Sequence, residues 1–150
     1  MEDNWEDRDD VEFVLLDINS KDAFRKWIRS ENLTKYTECG FLRYFETDVL
    51  QQWHASIGKN TATHQATGEI VVTLDCDNYT GYRGGRFVIT QFEKNDYNCV
   101  VHQFDWNPQN ANYGRIALTK KKFDEIGGYD QSLLPKGYQD WDISQRAEAT

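Results

Sequence analysis

The chain has 150 residues, of which 39% are hydrophobic and 14% aromatic, enough to build the core of one ordinary domain. This composition excludes a disordered chain, and the presence of only two prolines and ten glycines excludes a collagen-like or low-complexity one. The net charge of −8 repels a phosphate backbone, so nucleic acid is not an expected partner, although a nucleotide bound through a divalent cation stays open.

The first predicted elements are an acidic leader, a strand and a helix. Seven acidic residues within the first twelve positions predict a solvated, flexible leader over residues 1–11, followed by one domain over residues 12–150. The apolar run at 13–16 is typical of a strand buried on both faces, which ends at Asp17. Ser20 is the predicted N-cap of an amphipathic helix that continues to about residue 31.

The rest of the chain alternates further strands and helices. Strands are predicted over 42–45, 69–74 and 115–118, and helices over 53–67, 120–126 and 140–147. Residues 86–92 fit a strand or a helix, and residues 99–104 are rich in β-forming side chains. This order predicts an α/β fold with a mostly parallel sheet, in which ligands bind at the carboxyl ends of the strands.

The cysteines and the hydropathy pattern give a predicted location. Cys39, Cys76 and Cys99 form no CxxC pair, which predicts free thiols in a reducing compartment. The apolar run at 13–16 is far shorter than the roughly 20 residues that span a bilayer. We therefore expect a cytoplasmic chain without a transmembrane segment, with attachment at a membrane surface left open.

Two carboxylates after the predicted strand 69–74 give the sharpest chemical signal. In an extended segment Asp75 and Asp77 point to the same side, where their charges repel unless a cation lies between them. Hard oxygen ligands of this kind suit Mg²⁺ or Mn²⁺ bound together with substrate phosphates. The alternative, that both side chains cap the following turn or helix, fits the spacing equally well.

Two further acidic segments carry a weaker signal. Asp140 and Asp142 follow a glycine turn at the start of the last helix, where an acid can serve as a general base or simply stabilise the helix N-terminus. Asp17 ends the first strand, where it can accept a hydrogen bond from a nucleotide base or cap the next helix.

Four segments together resemble family 2 glycosyltransferases of the GT-A fold. Residues 13–22 resemble the family's VVVDDGSTD strand and turn, residues 58–69 its ARNxG…AxGE helix, and residues 74–78 its LDxDD metal motif. Residues 127–146 resemble the segment GGFDE…GxEDxDLxxR. The four blocks occur in the family's order, between about residue 12 and residue 147. The resemblance implies a three-layer α/β/α domain that transfers a sugar from a nucleotide-diphospho-sugar, usually a UDP-sugar, to a hydroxyl acceptor with inversion.

The resemblance also implies roles for individual residues. Asp75 and Asp77 would bind Mn²⁺ or Mg²⁺, and Asp140 would be the catalytic base. The acceptor site would involve Tyr138, Trp141 and Asp142, although Trp141 also suits a core position. The donor would contact a set of polar and glycine residues: Asp17, Asn19, Ser20, Lys59, Asn60, Asp75, Gly127 and Gly128.

Departures from the family pattern keep a second hypothesis open. Gln139 stands where the family has Glu, and Ile18 where it has a second Asp. The family's central first strand would precede residue 12, so the resemblance implies a minimal or truncated domain with open sheet edges. We expect another chain, or a second copy of this one, to cover these edges. The alternative to an enzyme is a non-catalytic nucleotide- or glycan-binding module or subunit.

Overall fold

The structure, a computed structural model, describes residues 1–102 and 114–150. The helices are a 3-10 helix at Glu2–Asp7, α1 at Asp22–Ile28, α2 at Glu31–Glu38, α3 at Ala55–Gln65, α4 at Gly84–Lys94, α5 at Lys120–Glu125 and α6 at Gln139–Glu148. The strands are β1 at Phe13–Ile18, β2 at Leu42–Thr47, β3 at Ile70–Thr73, β4 at Val101–His102 and β5 at Ile116–Thr119.

The predicted α/β class is confirmed, and the strands form two small sheets within the described residues. β1 and β2 pair in parallel because helices α1 and α2 connect them as a crossover. β3, β5 and β4 form an antiparallel sheet with β5 in the middle. The single, mostly parallel sheet expected from the sequence is thus divided, because no described strand pairs with the second edge of β1 or of β3.

Each sheet has its own apolar core, and α3 contacts both sheets. The first core packs α1 and α2 on the parallel sheet through Ile28, Leu33, Tyr36, Phe41 and Leu42. The second joins the antiparallel sheet to α5 and α6 through Val71, Ile116, Leu118, Phe123, Tyr129 and Ile143. Helix α3 lies against β1 and β3, so it connects the two halves and places its first turn near the carboxyl ends of these strands.

The helix predicted over residues 20–31 is wrong in its cap and in its end. The N-cap is Lys21, and Ser20 instead donates its backbone N–H to the Asp17 carboxylate at 2.9 Å. Helix α1 ends at Ile28 and a separate helix, α2, follows, which the sequence pattern did not predict. Leu33 and Tyr36 of α2 are buried on the first core, and this tertiary contact stabilises a short segment of mixed composition.

The acidic leader packs against the fold, which corrects the prediction of a solvated segment, whereas its flexibility stays a prediction. Residues 2–7 form the 3-10 helix, with Asn4 fully buried and Asp7 almost so. Trp5 packs edge-to-face on Tyr36 and Phe41. Apolar and hydrogen-bonding contacts therefore offset the repulsion among the acidic side chains of this segment.

The remaining predictions differ mainly in boundaries. Helix α3 begins at Ala55 and β3 ends at Thr73, two residues before Asp75. The ambiguous segment 86–92 is helical, within α4. Of the β-rich segment 99–104, residues 101–102 form β4, and residues 103–104 lie outside the described residues. Across the described ranges, no helix combines the length and apolar character required to cross a bilayer.

Candidate functional site

Three charged side chains from distant parts of the chain meet at one place. The Lys59 ammonium lies 2.6 Å from a carboxylate oxygen of Asp140 and 3.6 Å from one of Asp75. Lys59 extends from the first turns of α3, Asp75 follows β3, and Asp140 is in the first turn of α6. The side chains of Lys59 and Asp140 are 10% and 17% exposed, whereas that of Asp75 is 47% exposed. The Lys59 ammonium therefore pairs with both acids at a partly exposed position.

Gly114 forms one wall of this cluster. A Cβ at this position would lie 2.6 Å from a carboxylate oxygen of Asp75 and 3.5 Å from one of Asp140. The backbone of Gly114 thus approaches both acids closely, and a side chain at this position would displace the Asp75 carboxylate. No motif in the sequence pointed to Gly114, because its role depends on contacts more than 25 positions away in each direction.

Tyr129 supports the cluster from beneath. Its ring centroid lies 5.4 Å from the Lys59 ammonium, and its hydroxyl donates to Thr73 at 2.8 Å. The Asn60 side chain accepts from the Tyr129 N–H at 2.8 Å and donates to the Tyr129 carbonyl at 2.9 Å. Burial raises the pKa of Tyr129 far above its ordinary value, so the hydroxyl stays protonated as a donor. Asn60, predicted to contact the donor, here fixes Tyr129 in place.

Gly127 and Gly128 both adopt left-handed backbone conformations, with φ of 77° and 65°. A Cβ on Gly128 would meet Asn60 Oδ1 at 2.7 Å and Phe123 at 2.8 Å, whereas one on Gly127 would meet nothing within 4 Å. Gly128 therefore lets the chain turn against Asn60, and Gly127 stays open to solvent. This places both glycines of the predicted donor site beside the Asn60–Tyr129 contact.

Asp75 and Asp77 lie in a turn, which corrects the argument from strand alternation. The Asn78 N–H donates to the Asp75 carbonyl at 3.0 Å and closes the turn. Asp77 is exposed and accepts a hydrogen bond from the Asn78 amide at 3.2 Å. Burial and the charges of Asp75 and Asp77 raise the pKa of Cys76 between them, so its thiol stays protonated. The described residues contain no group of three His, Cys, Asp or Glu side chains arranged to hold a metal.

The donor set nonetheless suits a metal bound jointly with phosphates. Mg²⁺ characteristically uses one or two protein carboxylates and completes its shell with phosphate oxygens and water. Asp75 and Asp77 are accessible acids on one short turn, which meets that requirement. Lys59, beside Asp75, adds the positive charge that a diphosphate also needs.

Asp17 is enclosed at the end of β1. One of its oxygens accepts from the Ser20 N–H, and the other accepts from Tyr44 at 2.7 Å and from Arg25 at 3.3 Å. Burial would raise the pKa of Asp17, but these bonds outweigh it and hold the pKa below its ordinary value. Burial, with the contact to Asp17, raises the pKa of Tyr44 to about 12. The contact of Asp17 with a nucleotide base stays a prediction, and it requires one of these bonds to yield.

The predicted acceptor residues divide into two groups. Tyr138 and Trp141 are 76% and 65% exposed, beside Asp140, which excludes a core position for Trp141. Asp142 instead pairs with Arg146 at 2.6 Å. Arg146 also donates to the carbonyls of Ile126 and Gly128. Asp142 thus holds the α5–α6 connection together.

Comparison with known proteins finds similarity at the level of structure. No protein-family model and no curated protein match the chain. Among solved structures, the mannosyltransferase PcManGT from Pyrobaculum calidifontis, solved with GDP-Man and Mn²⁺, matches with a TM-score of 0.73 at 18% identity. A crystal structure of residues 1–349 of S. aureus TarS matches with a TM-score of 0.71 at 17% identity. The PcManGT and TarS matches cover 97% and 93% of this chain.

The chain has the GT-A glycosyltransferase fold. It spans about half the length of both matched structures, 45% of PcManGT and 46% of the TarS fragment. The four sequence blocks that carried the resemblance thus lie on the fold that they implied. Within this GT-A domain, Lys59, Asp75 and Asp140 are predicted site residues that the structure brings together, whereas Asp17 and Asp142 have structural partners.

Proposed function

We propose that this GT-A domain transfers a sugar from a nucleotide-diphospho-sugar to a hydroxyl group of a glycan or other acceptor, with inversion and with Mn²⁺ or Mg²⁺. The observation that carries the proposal is the convergence of Lys59, Asp75 and Asp140 at one accessible place. A cation and two acids from three separate segments provide both a diphosphate-binding group and a base. The mannosyltransferase that resembles this chain was solved with a nucleotide sugar and Mn²⁺.

In the proposed complex, the donor diphosphate lies between Lys59 and the turn that carries Asp75 and Asp77. Lys59 donates to a phosphate oxygen, and the two carboxylates hold the divalent cation. When bound, this cation supplies Lewis-acid stabilisation of the departing nucleoside diphosphate. Gly127, which is open to solvent beside the packed Gly128, leaves space for the donor sugar, and the nucleoside lies towards Asn19 and Ser20 after β1.

Asp140 is the proposed base for the transfer. The acceptor oxygen attacks the anomeric carbon while the bond from that carbon to the diphosphate oxygen breaks, and the hydroxyl proton passes to Asp140. A diphosphate beside Lys59 offers its ammonium a further anionic partner besides Asp75 and Asp140, which leaves a carboxylate oxygen of Asp140 for the acceptor. Tyr138 and Trp141 present exposed aromatic faces on which an acceptor sugar can stack.

Calorimetry with a nucleoside diphosphate and Mn²⁺ tests the proposal. UDP and GDP are each titrated with and without the metal, and the corresponding sugar nucleotides are then assayed for hydrolysis or transfer. We expect metal-dependent binding that Asp77→Ala abolishes and that Asp124→Ala, an exposed acid on α5, leaves unchanged. Absence of metal-dependent binding at millimolar nucleotide would overturn the proposal.

The alternative is a module that binds nucleotide or glycan without turnover. One observation favours it: the proposed base, Asp140, is already engaged by Lys59 at 2.6 Å. This alternative would be established if the chain binds nucleotide in a metal-dependent way but neither hydrolyses UDP- or GDP-sugars nor transfers sugar from them. Turnover that is lost in Asp140→Asn while nucleotide affinity is retained would exclude it.

We also propose that another strand, from a second copy or a partner chain, pairs with the free edges of β1 and β3. Within the described residues each of these strands has a single neighbour, which leaves backbone donors and acceptors unpaired. Sedimentation velocity at micromolar concentration is expected to show a dimer or a complex. A well-folded monomer under these conditions would remove this part of the proposal.

A further inference from the structure

Helix α4 begins directly after the loop of residues 74–83, which carries Asp75 and Asp77. The first N–H groups of a helix need acceptors from outside it, and the N-cap side chain commonly supplies one. The N-cap of α4 is Arg83, which has φ of 51° and makes no side-chain cap. The acceptor comes instead from the N-terminal segment, residues 1–11: Asn4 Oδ1 accepts from the Gly85 N–H at 2.7 Å.

Asn4 connects the helix start to the loop itself. Its amide nitrogen donates to the Thr80 hydroxyl at 2.6 Å, so one fully buried side chain bonds both Thr80 and Gly85. The backbone N–H of Arg83 donates to the carbonyl of Asp3 at 2.7 Å. Three attachments thus join the second half of the loop and the first turn of α4 to the N-terminal segment.

Asp7 adds a charged attachment at the same place. Its carboxylate, 1% exposed, accepts two bonds from the Arg83 guanidinium, at 3.0 and 2.5 Å, and one from Arg86 at 3.2 Å. Bidentate pairs of this kind fix orientation as well as position. Removing the charge of Asp7 leaves two guanidinium groups without their buried partner.

The fit between the two segments is close. A Cβ on Gly85 would lie 2.7 Å from a methyl group of Val11 and 3.2 Å from Asn4 Oδ1. The N-terminal segment therefore contacts the backbone of the first turn of α4. This contact lies directly beside the C-terminal end of the 74–83 loop.

We propose that the N-terminal segment positions the loop of residues 74–83 through Asn4 and Asp7, and thereby presents Asp75 and Asp77 to the metal and diphosphate of the donor. Asn4 and Asp7 are positioning residues, because they touch the loop and the start of α4. The binding of metal and diphosphate by Asp75 and Asp77 rests on the proposed function, whereas the restraint of the loop by the N-terminal segment is independent of it.

Hydrogen exchange and calorimetry on the full chain test this proposal together. In Asn4→Ala and Asp7→Asn, we expect amide exchange over residues 78–88 to rise by about tenfold or more, with α5 and α6 unchanged. We expect the affinity for UDP or GDP with Mn²⁺ to fall about tenfold, and, where turnover occurs, KM for the donor to rise with little change in kcat.

Two control variants separate positioning from general stability. Glu2→Gln makes the same acid-to-amide change in the same segment, but Glu2 contacts Lys35 and Tyr36 rather than α4, so exchange over 78–88 should change less than twofold. Asn4→Asp keeps an oxygen that accepts from Gly85 but loses the amide that donates to Thr80, so it should restore slow exchange at the start of α4 without restoring the full affinity. If Asn4→Ala does not fold, Thr80→Val removes the same bond from the loop side.

Two results would overturn the proposal: unchanged exchange over 78–88 in the Asn4 and Asp7 variants, or an opened loop with unchanged affinity for the metal nucleotide. If the unaltered chain binds no nucleotide, the proposed function fails by itself. The exchange comparison then decides alone whether the segment restrains the loop, with raised exchange supporting the restraint and unchanged exchange refuting it.

Discussion

Replacing Gly128 by alanine should destabilise the chain by about 2–5 kcal/mol, whereas the same change at Gly127 should cost about 1–2 kcal/mol. Both glycines have left-handed backbones, with φ of 65° and 77°, so alanine carries a similar conformational cost at each. Only at Gly128 would the new methyl group overlap neighbours, Asn60 Oδ1 at 2.7 Å and Phe123 at 2.8 Å. Overpacking of a buried site adds about 1–3 kcal/mol.

Urea unfolding of the two variants beside the unaltered chain measures this difference. Linear extrapolation gives each free energy of unfolding, and an unchanged m value confirms that the denatured state is the same. The Gly128 variant should also weaken nucleotide binding, because displacement of Asn60 disturbs Tyr129 beneath Lys59. Equal losses of stability in the two variants would refute the reasoning, since they would show that the contacts of Gly128 impose no constraint.

Two further predictions concern Gly114, which contacts two acids, and Asp7. Gly114→Ala should lower the free energy of unfolding by less than about 1 kcal/mol, because the half-exposed Asp75 side chain can swing away. The displaced Asp75 should reduce the affinity for nucleotide with Mn²⁺, measured by calorimetry, about tenfold. Gly68→Ala is the matched control, and equal nucleotide affinities of the two variants would contradict this prediction. For Asp7, the hydrogen bond from Arg83, stronger than the opposing burial, lowers the pKa from 3.8 to about 2. The stabilisation by the Asp7 carboxylate is therefore present above pH 3.8 and lost as the pH falls towards 2. The free energy of unfolding in urea should fall less over this pH range in Asp7→Asn than in the unaltered chain. Parallel profiles of this free energy against pH would contradict the prediction.

The sequence predicted the meeting of Lys59, Asp75 and Asp140 only through a resemblance. These residues are separated by 16 and 65 positions, and no periodicity relates them. The order of four short motifs did relate them, because that order is tied to a fold in which strand ends and helix starts lie at one edge. The structural match at 18% identity confirms the fold from which their proximity follows.

Local reasoning failed where a strand ended early and where a side chain found a distant partner. Alternation along a strand predicted parallel carboxylates at Asp75 and Asp77, but β3 ends at Thr73 and a turn follows. At Asp17 the sequence shows an acid at a strand end, and cannot show that Tyr44, on the neighbouring strand, donates to it. Propensity describes a residue and its neighbours in sequence, whereas the contact of Tyr44 with Asp17 is made across strands.

The N-terminal segment shows the same effect most clearly. A count of charges predicts repulsion and solvation for its six acids, because their neighbours in sequence offer little compensation. Asp7 pairs with Arg83 and Arg86, 76 and 79 positions later, and this pairing keeps its carboxylate inside the fold. The pattern Arg-Gly-Gly-Arg at 83–86 places both guanidinium groups at the start of one helix, with glycines that allow the segment to approach. In this chain a basic helix start distant in sequence receives part of the acidic run, which a count of neighbouring charges does not show.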